Sequence, residues 1–576
     1  MRLNRMIQYA MAALVLLVFA TFLLWPVFRV VRVGLFGFDG QFTLAYVGSV
    51  FVDHNLRMGL LNSAMIALSV TGLCMLISVP LAILSVRYDF PGKTAITGLL
   101  LVPLILPPFV GAIGMRQMLG RFGALSGLAA NLGLAAEGTP IDWFGSARLL
   151  GIVLVESLSL YPILFLNVSA ALANLDPAME QAAANLGASR WTIFRKITLP
   201  LMRPGLFAGG TIVLIWSFTE LGTPLMFDFH RVTPVQIFQR ISQVSGSPLP
   251  YALVIVMLLA SVSLYATGKL ALGRGTDAAV TKASIQSSAR RLTGVKAALV
   301  LTLFGAVIGL ALTPHFGVVL TSFSGVGSWY MSALPQVFTT RHYAEALTHD
   351  VVLPAVQNSI MFASMSVMLD LVLGVLIAYL IVRSTLPFRW LIDGLAMLPL
   401  AVPGLVLAFG YLAISMQLQG WFALTAWLRD LVDVEKNPTA LLVVAYAMRR
   451  LPYVVRSAVA GLQQTPVDLE LAAKNIGASS WRTTRTITVP LISANLIAGG
   501  LLAFAFAMLE VSDSLILAQK QTYWPITKAI FELFQRLGDG EYIASALGVW
   551  AMILLMLTIV TASAFLGKRL GAIFRV

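Results

Sequence analysis

Four carboxylates stand where a chain can least tolerate charge: Glu156, Glu220 in "WSFTELGTP", Asp370, and Glu510 in "AFAMLEVSDS" all lie within long apolar runs. A charge at mid-membrane costs about 2.5 to 3.5 kcal/mol on insertion scales, so each such residue needs a partner or a hydrated passage. The chemistry they offer is the handling of ions or polar solutes. Glu220 and Glu510 hold equivalent places in a duplicated chain, and with Thr223 and Asp513 beside them they are expected to line a pathway or its gate. The alternative pairs each glutamate with a neighbouring hydroxyl or backbone group. Glu156 answers to Tyr446 in the other half and Asp370 has no acidic counterpart, so both are expected to serve as structural hydrogen-bonding groups.

Other chemistries find little support. "PGKTA" at 91 to 95 contains Gly92-Lys93-Thr94, but a phosphate-binding loop needs a glycine five residues before Gly92, where Arg87 stands. A turn between helices is expected there. His54, His230, His315, His342 and His349 are scattered and form no ligand set with carboxylates, and Cys74 has no second cysteine to pair with. No metal site and no bound cofactor are expected in this chain, and no nucleophile–base pair marks it as an enzyme.

The elements that carry these residues follow from composition. Of the 576 residues, 58% are hydrophobic and 11% charged, less than half the ~25% charged typical of a soluble domain. The apolar residues come in runs of about 20, enough to cross a ~30 Å hydrocarbon core as helices. Twelve spans are predicted, at 8 to 30, 58 to 86, 94 to 118, 148 to 172, 202 to 226, 250 to 270, 296 to 322, 355 to 381, 390 to 415, 438 to 460, 491 to 515 and 542 to 566. The first is read as an uncleaved helix, since no small-residue cleavage site follows it. The formal charge of +14 sits in short clusters between apolar runs and builds no continuous basic face, which excludes a nucleic-acid partner and leaves the lipid bilayer. Most Lys and Arg fall on the side that holds the N-terminus, placing both termini in the cytoplasm under the positive-inside rule.

The chain repeats itself. Asn62-Ser63, Arg87, Pro91, Pro103 and Pro107 return as Asn358-Ser359, Arg383, Pro387, Pro399 and Pro403, all displaced by 296. Pro162, Gly209-Gly210 and Glu220 return as Pro452, Gly499-Gly500 and Glu510, displaced by 290. A six-helix unit has been duplicated, and because six is even the copies are parallel repeats. The domains are a first repeat over 1–272, a cytoplasmic linker over 273–295 and a second repeat over 296–576. The fold class is therefore an all-α polytopic membrane protein.

The sharpest repeat is polar. "AAANLGASRWTIFRKITLP" at 182 to 200 aligns without a gap on "AAKNIGASSWRTTRTITVP" at 472 to 490. Each reads as a short Ala-rich helix, a glycine turn at Gly187 or Gly477, a second helix capped by Ser189 or Ser479, and a stop at Pro200 or Pro490. Trp191 and Trp481 offer apolar anchors one turn past the bend. Amphipathic loops resting on lipid headgroups would need cations and periodicity but not this doubled glycine, serine, tryptophan and proline register.

At these residues the chain resembles the permease subunits of bacterial ATP-binding-cassette importers, whose motif runs Glu-Ala-Ala, three residues, Gly, nine residues, Ile-x-Leu-Pro. Ala182, Ala183, Gly187, Ile197 and Pro200 match it, as do Ala472, Ala473, Gly477, Ile487 and Pro490. The motif's glutamate position holds Gln181 and Leu471, with Glu180 and Glu470 one residue earlier. The resemblance implies a cytoplasmic coupling helix in each half, two separate ATPase subunits that use ATP and Mg, a periplasmic substrate-binding protein, and residence in a bacterial inner membrane. The fused twelve-span form looks most like ferric-iron permeases, with phosphonate, thiamine or polyamine as alternative cargoes. A twelve-helix secondary transporter driven by ion gradients remains the alternative from another class.

Overall fold

The computed structural model describes residues 5–136, 138–145, 148–173, 175–272, 290–421 and 430–566. Most of the expected linker, 273–289, and the chain ends at 1–4 and 567–576 lie outside the described residues. Among the described residues nine helices are long and apolar enough to span a membrane, and two sharply bent helix pairs bring the number to eleven. The remaining expected span, the tenth at 438 to 460, is present as the continuous helix Thr439–Gln464, which is less apolar because it carries Arg449, Arg450 and Arg456.

The third span of each half, expected over 94 to 118 and 390 to 415, is sharply bent at its prolines. Lys93–Leu104 and Pro108–Asn131 meet at 97°, and Arg389–Ala401 and Gly404–Leu418 meet at 99°. Pro107 is extended at the first bend, with φ −57° and ψ 138°. Prolines at 103, 107 and 108, and at 399 and 403, remove backbone donors within one turn of each bend, so a continuous helix there would lose several hydrogen bonds in lipid. The "PGKTA" stretch forms the turn before the first of these pairs, with Gly92 at φ +72° preceding the helix Lys93–Leu99.

The fifth span is also broken. In the first half the helix ends at Thr219, Glu220 is extended, and a short helix resumes over Gly222–Met226. In the second half the helix ends at Met508 and resumes over Ser512–Leu517. The structure thus places Glu220 and Glu510 in the gaps of broken helices rather than within continuous ones.

Pro200 and Pro490 do not stop a helix. A single π turn at Phe194–Thr198 or Thr484–Thr488 carries the chain straight into Leu199–Thr219 or Val489–Met508, with each proline in the first turn of that helix. Proline is tolerated in a first turn, where its missing N–H costs nothing, and the adjoining π turn absorbs the change in hydrogen-bond register.

Repeated residues do repeated work. Asn62 donates to the Arg231 carbonyl at 2.8 Å and Ser63 accepts from the Thr233 amide at 3.0 Å. Asn358 donates to the Thr522 carbonyl at 2.9 Å and Ser359 accepts from the Ile526 amide at 2.7 Å. Each Asn-Ser pair therefore pins the segment that follows the broken fifth helix onto the second helix of its own half. Gly209 sits against Leu164 and Asn167, and Gly499 against Val454 and Ser457, so each glycine admits the fourth helix to close range.

The halves also exchange their first helices. Gly114, in the outer arm of the first half's bent pair, touches the helix Gly294–Phe323 so closely that a Cβ there would lie 2.1 Å from the Pro314 carbonyl oxygen. At the position displaced by 296, a Cβ on Gly410 would lie 2.7 Å from Pro26 Cβ in the helix Arg5–Phe36. The first helix of each half thus lies across the other half. A short parallel pairing of Tyr88–Asp89 with Arg290–Arg291 adds a further tie between them.

Candidate functional site

Two places draw the chemistry-bearing residues together: the twin polar segments and a cavity between the halves.

In the first segment Asp176 accepts from the Ala178 amide at 2.9 Å and starts the helix Pro177–Asn185. Gly187 turns the chain at φ +82°, in the left-handed region that a side chain would strain. Ser189 then accepts from the Thr192 amide at 3.2 Å to start the second helix. The second segment repeats this with the helix Val467–Asn475, Gly477 at φ +88°, and Ser479 accepting from the Arg482 amide at 3.3 Å. Helix, left-handed turn and capped helix match the arrangement read from the sequence.

The side chains sort by face. Gln181, Ala182, Leu471 and Ala472 are exposed, while Ala183 is half-buried and Ala473 buried, so each alanine pair divides between the outer and inner faces. Ile197 and Ile487 are half-buried, and Trp191 and Trp481 are exposed. Glu180 pairs with Arg87 and accepts from the Thr198 hydroxyl at 2.5 Å. Glu470 pairs with Arg383 at 3.3 Å, and Arg383 also donates to the carbonyls of Leu462 and Thr465. The glutamates one residue before the motif position are internal struts that fasten each segment to the end of its half's second helix.

Sequence reasoning missed the most prominent apolar side chains of these segments. Leu186 is 89% exposed and Ile476 88% exposed, each immediately before the turning glycine. Their signal was an apolar residue at the same register in both copies, inside an otherwise small and polar stretch.

The cavity, of about 120 Å³, is lined by the first half's bend at Pro103–Pro108, by Glu156 and Ser159 on the fourth helix, and by Trp216, Thr219 and Glu220. The second half contributes Gly404, Arg449, Arg450, Phe506 and Glu510. Both fifth-helix breaks therefore open on one space, but they are dressed differently. Glu220 Oε1 accepts from the amides of Gly222 and Thr223 at 3.2 and 3.3 Å and from the Thr223 hydroxyl at 3.4 Å. Glu510 is ion-paired to both Arg449 and Arg450, and buried Asp513 lies 3.6 Å from Arg449.

This asymmetry traces to substitutions between the repeats. The 290 displacement sets Ser159 and Leu160 opposite Arg449 and Arg450, and the 296 displacement sets Pro108 opposite Gly404. A Cβ on Gly404 would stand 2.1 Å from Arg449 Cζ, so the guanidinium occupies the space a side chain would need. The adjacent arginines within the expected span 438 to 460 were the overlooked signal for a partner to Glu510.

Glu156 takes a hydrogen bond from Ser217 on one oxygen and none on the other. Asp370 differs from the structural hydrogen-bonding role expected of it: the residue is fully buried and neither carboxyl oxygen has a hydrogen-bond partner among the described residues. Its place, displaced by 296, is held in the first half by Cys74, which makes a long contact of 3.5 Å with the Ser157 carbonyl.

Residues 74–271 and 370–573 each match the protein family described as binding-protein-dependent transport system inner membrane component. A ferric transport system permease protein of Actinobacillus pleuropneumoniae is 27% identical over 478 residues, 81% of this chain and 65% of that protein. A Haemophilus influenzae permease with a ferric transport name is 26% identical over 452 residues, 75% of this chain and 66% of its own length. The match thus spans about two thirds of each of these relatives. The molybdenum transport system permease protein of Escherichia coli is 31% identical over 216 residues, which are 35% of this chain but 90% of that protein. That shorter relative is therefore matched over nearly its whole length by about a third of this chain.

Proposed function

The chain belongs to the binding-protein-dependent transport system inner membrane component family, and from that premise we propose that it is the permease subunit of an ATP-driven importer in a bacterial inner membrane. It forms the translocation pathway and hydrolyses no nucleotide itself. Two separate ATPase subunits, using ATP and Mg, grip the two polar segments on the cytoplasmic face, and a periplasmic binding protein delivers cargo from the other side. Both chain termini are cytoplasmic. The cargo is ferric iron, in keeping with the names of the two long relatives.

The observation that carries this reading is the pair of knuckles. Each presents one apolar side chain, Leu186 or Ile476, almost fully exposed beside a glycine turn in a polar segment. Each is strapped by a glutamate–arginine pair to the end of a membrane helix. An apolar knob on a rigid mount is suited to seating in a partner's cleft, and a mount fixed to a membrane helix passes the partner's movement onward. A carrier driven by ion gradients would have no use for two of them.

The test is affinity purification of the full chain from its native membrane with an ATPase assay on the eluate. A nucleotide-binding subunit and its activity are expected with the unaltered chain and are lost from a folded Gly187→Val/Gly477→Val variant. An eluate free of any ATPase, or one unchanged by the double substitution, overturns the reading. Uptake of radiolabelled ferric iron against molybdate by the reconstituted complex decides the cargo.

A further inference from the structure

The cavity between the halves is electrically lopsided. On the wall from the second half, Arg449 and Arg450 are both paired to Glu510, and Asp513, buried and outside the cavity lining, lies 3.6 Å from Arg449. On the wall from the first half, Glu156 and Glu220 stand where Ser159 and Leu160 replace the arginines, and neither glutamate joins an ion pair among the described residues. Glu156 is completely buried, lines the cavity and leaves Oε1 without a partner. On Glu220 the hydrogen bonds from the described residues all go to Oε1. Buried carboxylates without a counter-charge are costly, and a passing cation relieves that cost.

We propose that Glu156 and Glu220 form a transit site for a small multivalent metal cation that keeps part of its water shell. The proposal rests on the importer reading and names where its cargo pauses. A cavity of about 120 Å³ has room for an ion and several waters. Among the described residues no group of three His, Cys, Asp or Glu converges to hold a metal. Two carboxylates and water attract an ion without the full ligand set that would trap it, which is what a conducting site requires. The arginine pair opposite already neutralises Glu510, so the uncompensated negative charge of the cavity lies on the first-half wall.

The test uses terbium(III) with the full chain in nanodiscs of zwitterionic lipid. Trp216 lines the cavity and sensitises the ion's luminescence. Saturable emission is expected, displaced by gallium(III). Glu156→Gln and Glu220→Gln each weaken binding by at least about tenfold, the scale of one lost charge in a partly buried site. Trp216→Phe removes the emission while equilibrium dialysis still finds the bound ion. If Glu156→Gln does not run as a folded species on gel filtration, Glu220→Gln carries the comparison. Affinity unchanged in the folded glutamate variants, or emission unchanged in Trp216→Phe, overturns the site. The assay contains no ATPase, so a failed purification of the partner with terbium binding intact would sink the importer reading alone, and the reverse would sink the site alone.

Discussion

Arg383 and Glu470 meet at 3.3 Å with side chains only 9% and 8% exposed, and Arg87 and Glu180 make the same pairing in the first half at 35% and 25%. The two pairs serve one purpose in different surroundings. Removing one partner of a buried pair costs about 3–5 kcal/mol, because the other is left uncompensated. A pair as open to water as Arg87–Glu180 is worth less, closer to the ~1 kcal/mol of a surface pair. Glu470→Gln is therefore expected to lower the unfolding free energy of the purified chain several times more than Glu180→Gln. Denaturant titration of both variants in the same detergent checks it, and equal losses would contradict the assignment.

Leu186 and Ile476 are the exposed apolar knobs of the two segments. Leu186→Asp and Ile476→Asp are each expected to weaken binding of the ATPase subunit by roughly tenfold, and the double variant to abolish it, because a central apolar anchor dominates a small interface. Stability of the isolated chain should be unchanged, since neither side chain is packed. Surface plasmon resonance against the purified partner, beside thermal unfolding of the permease, separates the two effects.

Gly404 and Arg449 compete for one volume. Arg449 is the far end of a flexible side chain and can move, but moving takes it off Glu510. Gly404→Ala is expected to cost about 1–3 kcal/mol, the usual range for overpacking. Adding Arg449→Ser, the residue at the matching place in the first half, should recover part of that loss. A double-mutant cycle with a coupling of at least about 0.5 kcal/mol is expected for residues in contact. Additive losses would show that the guanidinium does not depend on this glycine.

Gly114 and Gly317 pack against one another where the second half's first helix crosses the first half, and a Cβ at either would meet backbone atoms at under 2.5 Å. Backbone cannot rotate away as a side chain can. Gly114→Ala and Gly317→Ala should both reduce the yield of monodisperse protein and lower its melting temperature, whereas alanine at Gly309 on the same helix, with open space around it, should be silent.

Which features were legible depended on the range of the interaction that fixed them. The twelve apolar runs, the two displacements and the helix–turn–helix of the polar segments were readable because they are local: periodic apolarity, Gly187 at a left-handed turn, Ser189 at a cap. The bends at Pro103–Pro108 and Pro399–Pro403 were marked by proline, but their size was not, since a proline reports a lost hydrogen bond and not where the next arm will find packing. Proline interrupts helices, which predicts a stop at Pro200, yet with a π turn before it the same residue sits in the first turn of a helix that continues. The pairing of Glu510 with Arg449 and Arg450 joins residues 61 and 60 positions apart. The crossing of Pro26 onto Gly410 spans still more of the chain. No local pattern encodes a contact of that reach, although two adjacent arginines in an apolar run already required an acidic answer somewhere.

The exchanged first helices carry a consequence for biosynthesis. Residues 5–36 emerge from the ribosome long before Gly410, on which Pro26 rests. At about 5–20 residues per second the delay is roughly 20 to 75 seconds, during which that helix has only lipid and its own half for company. Insertion must therefore hold a helix whose second-half face is still uncovered beside the growing chain until that seat is made. Defects at Gly410 are then expected to surface as membrane quality-control substrates caught during synthesis, before any finished transporter exists to fail.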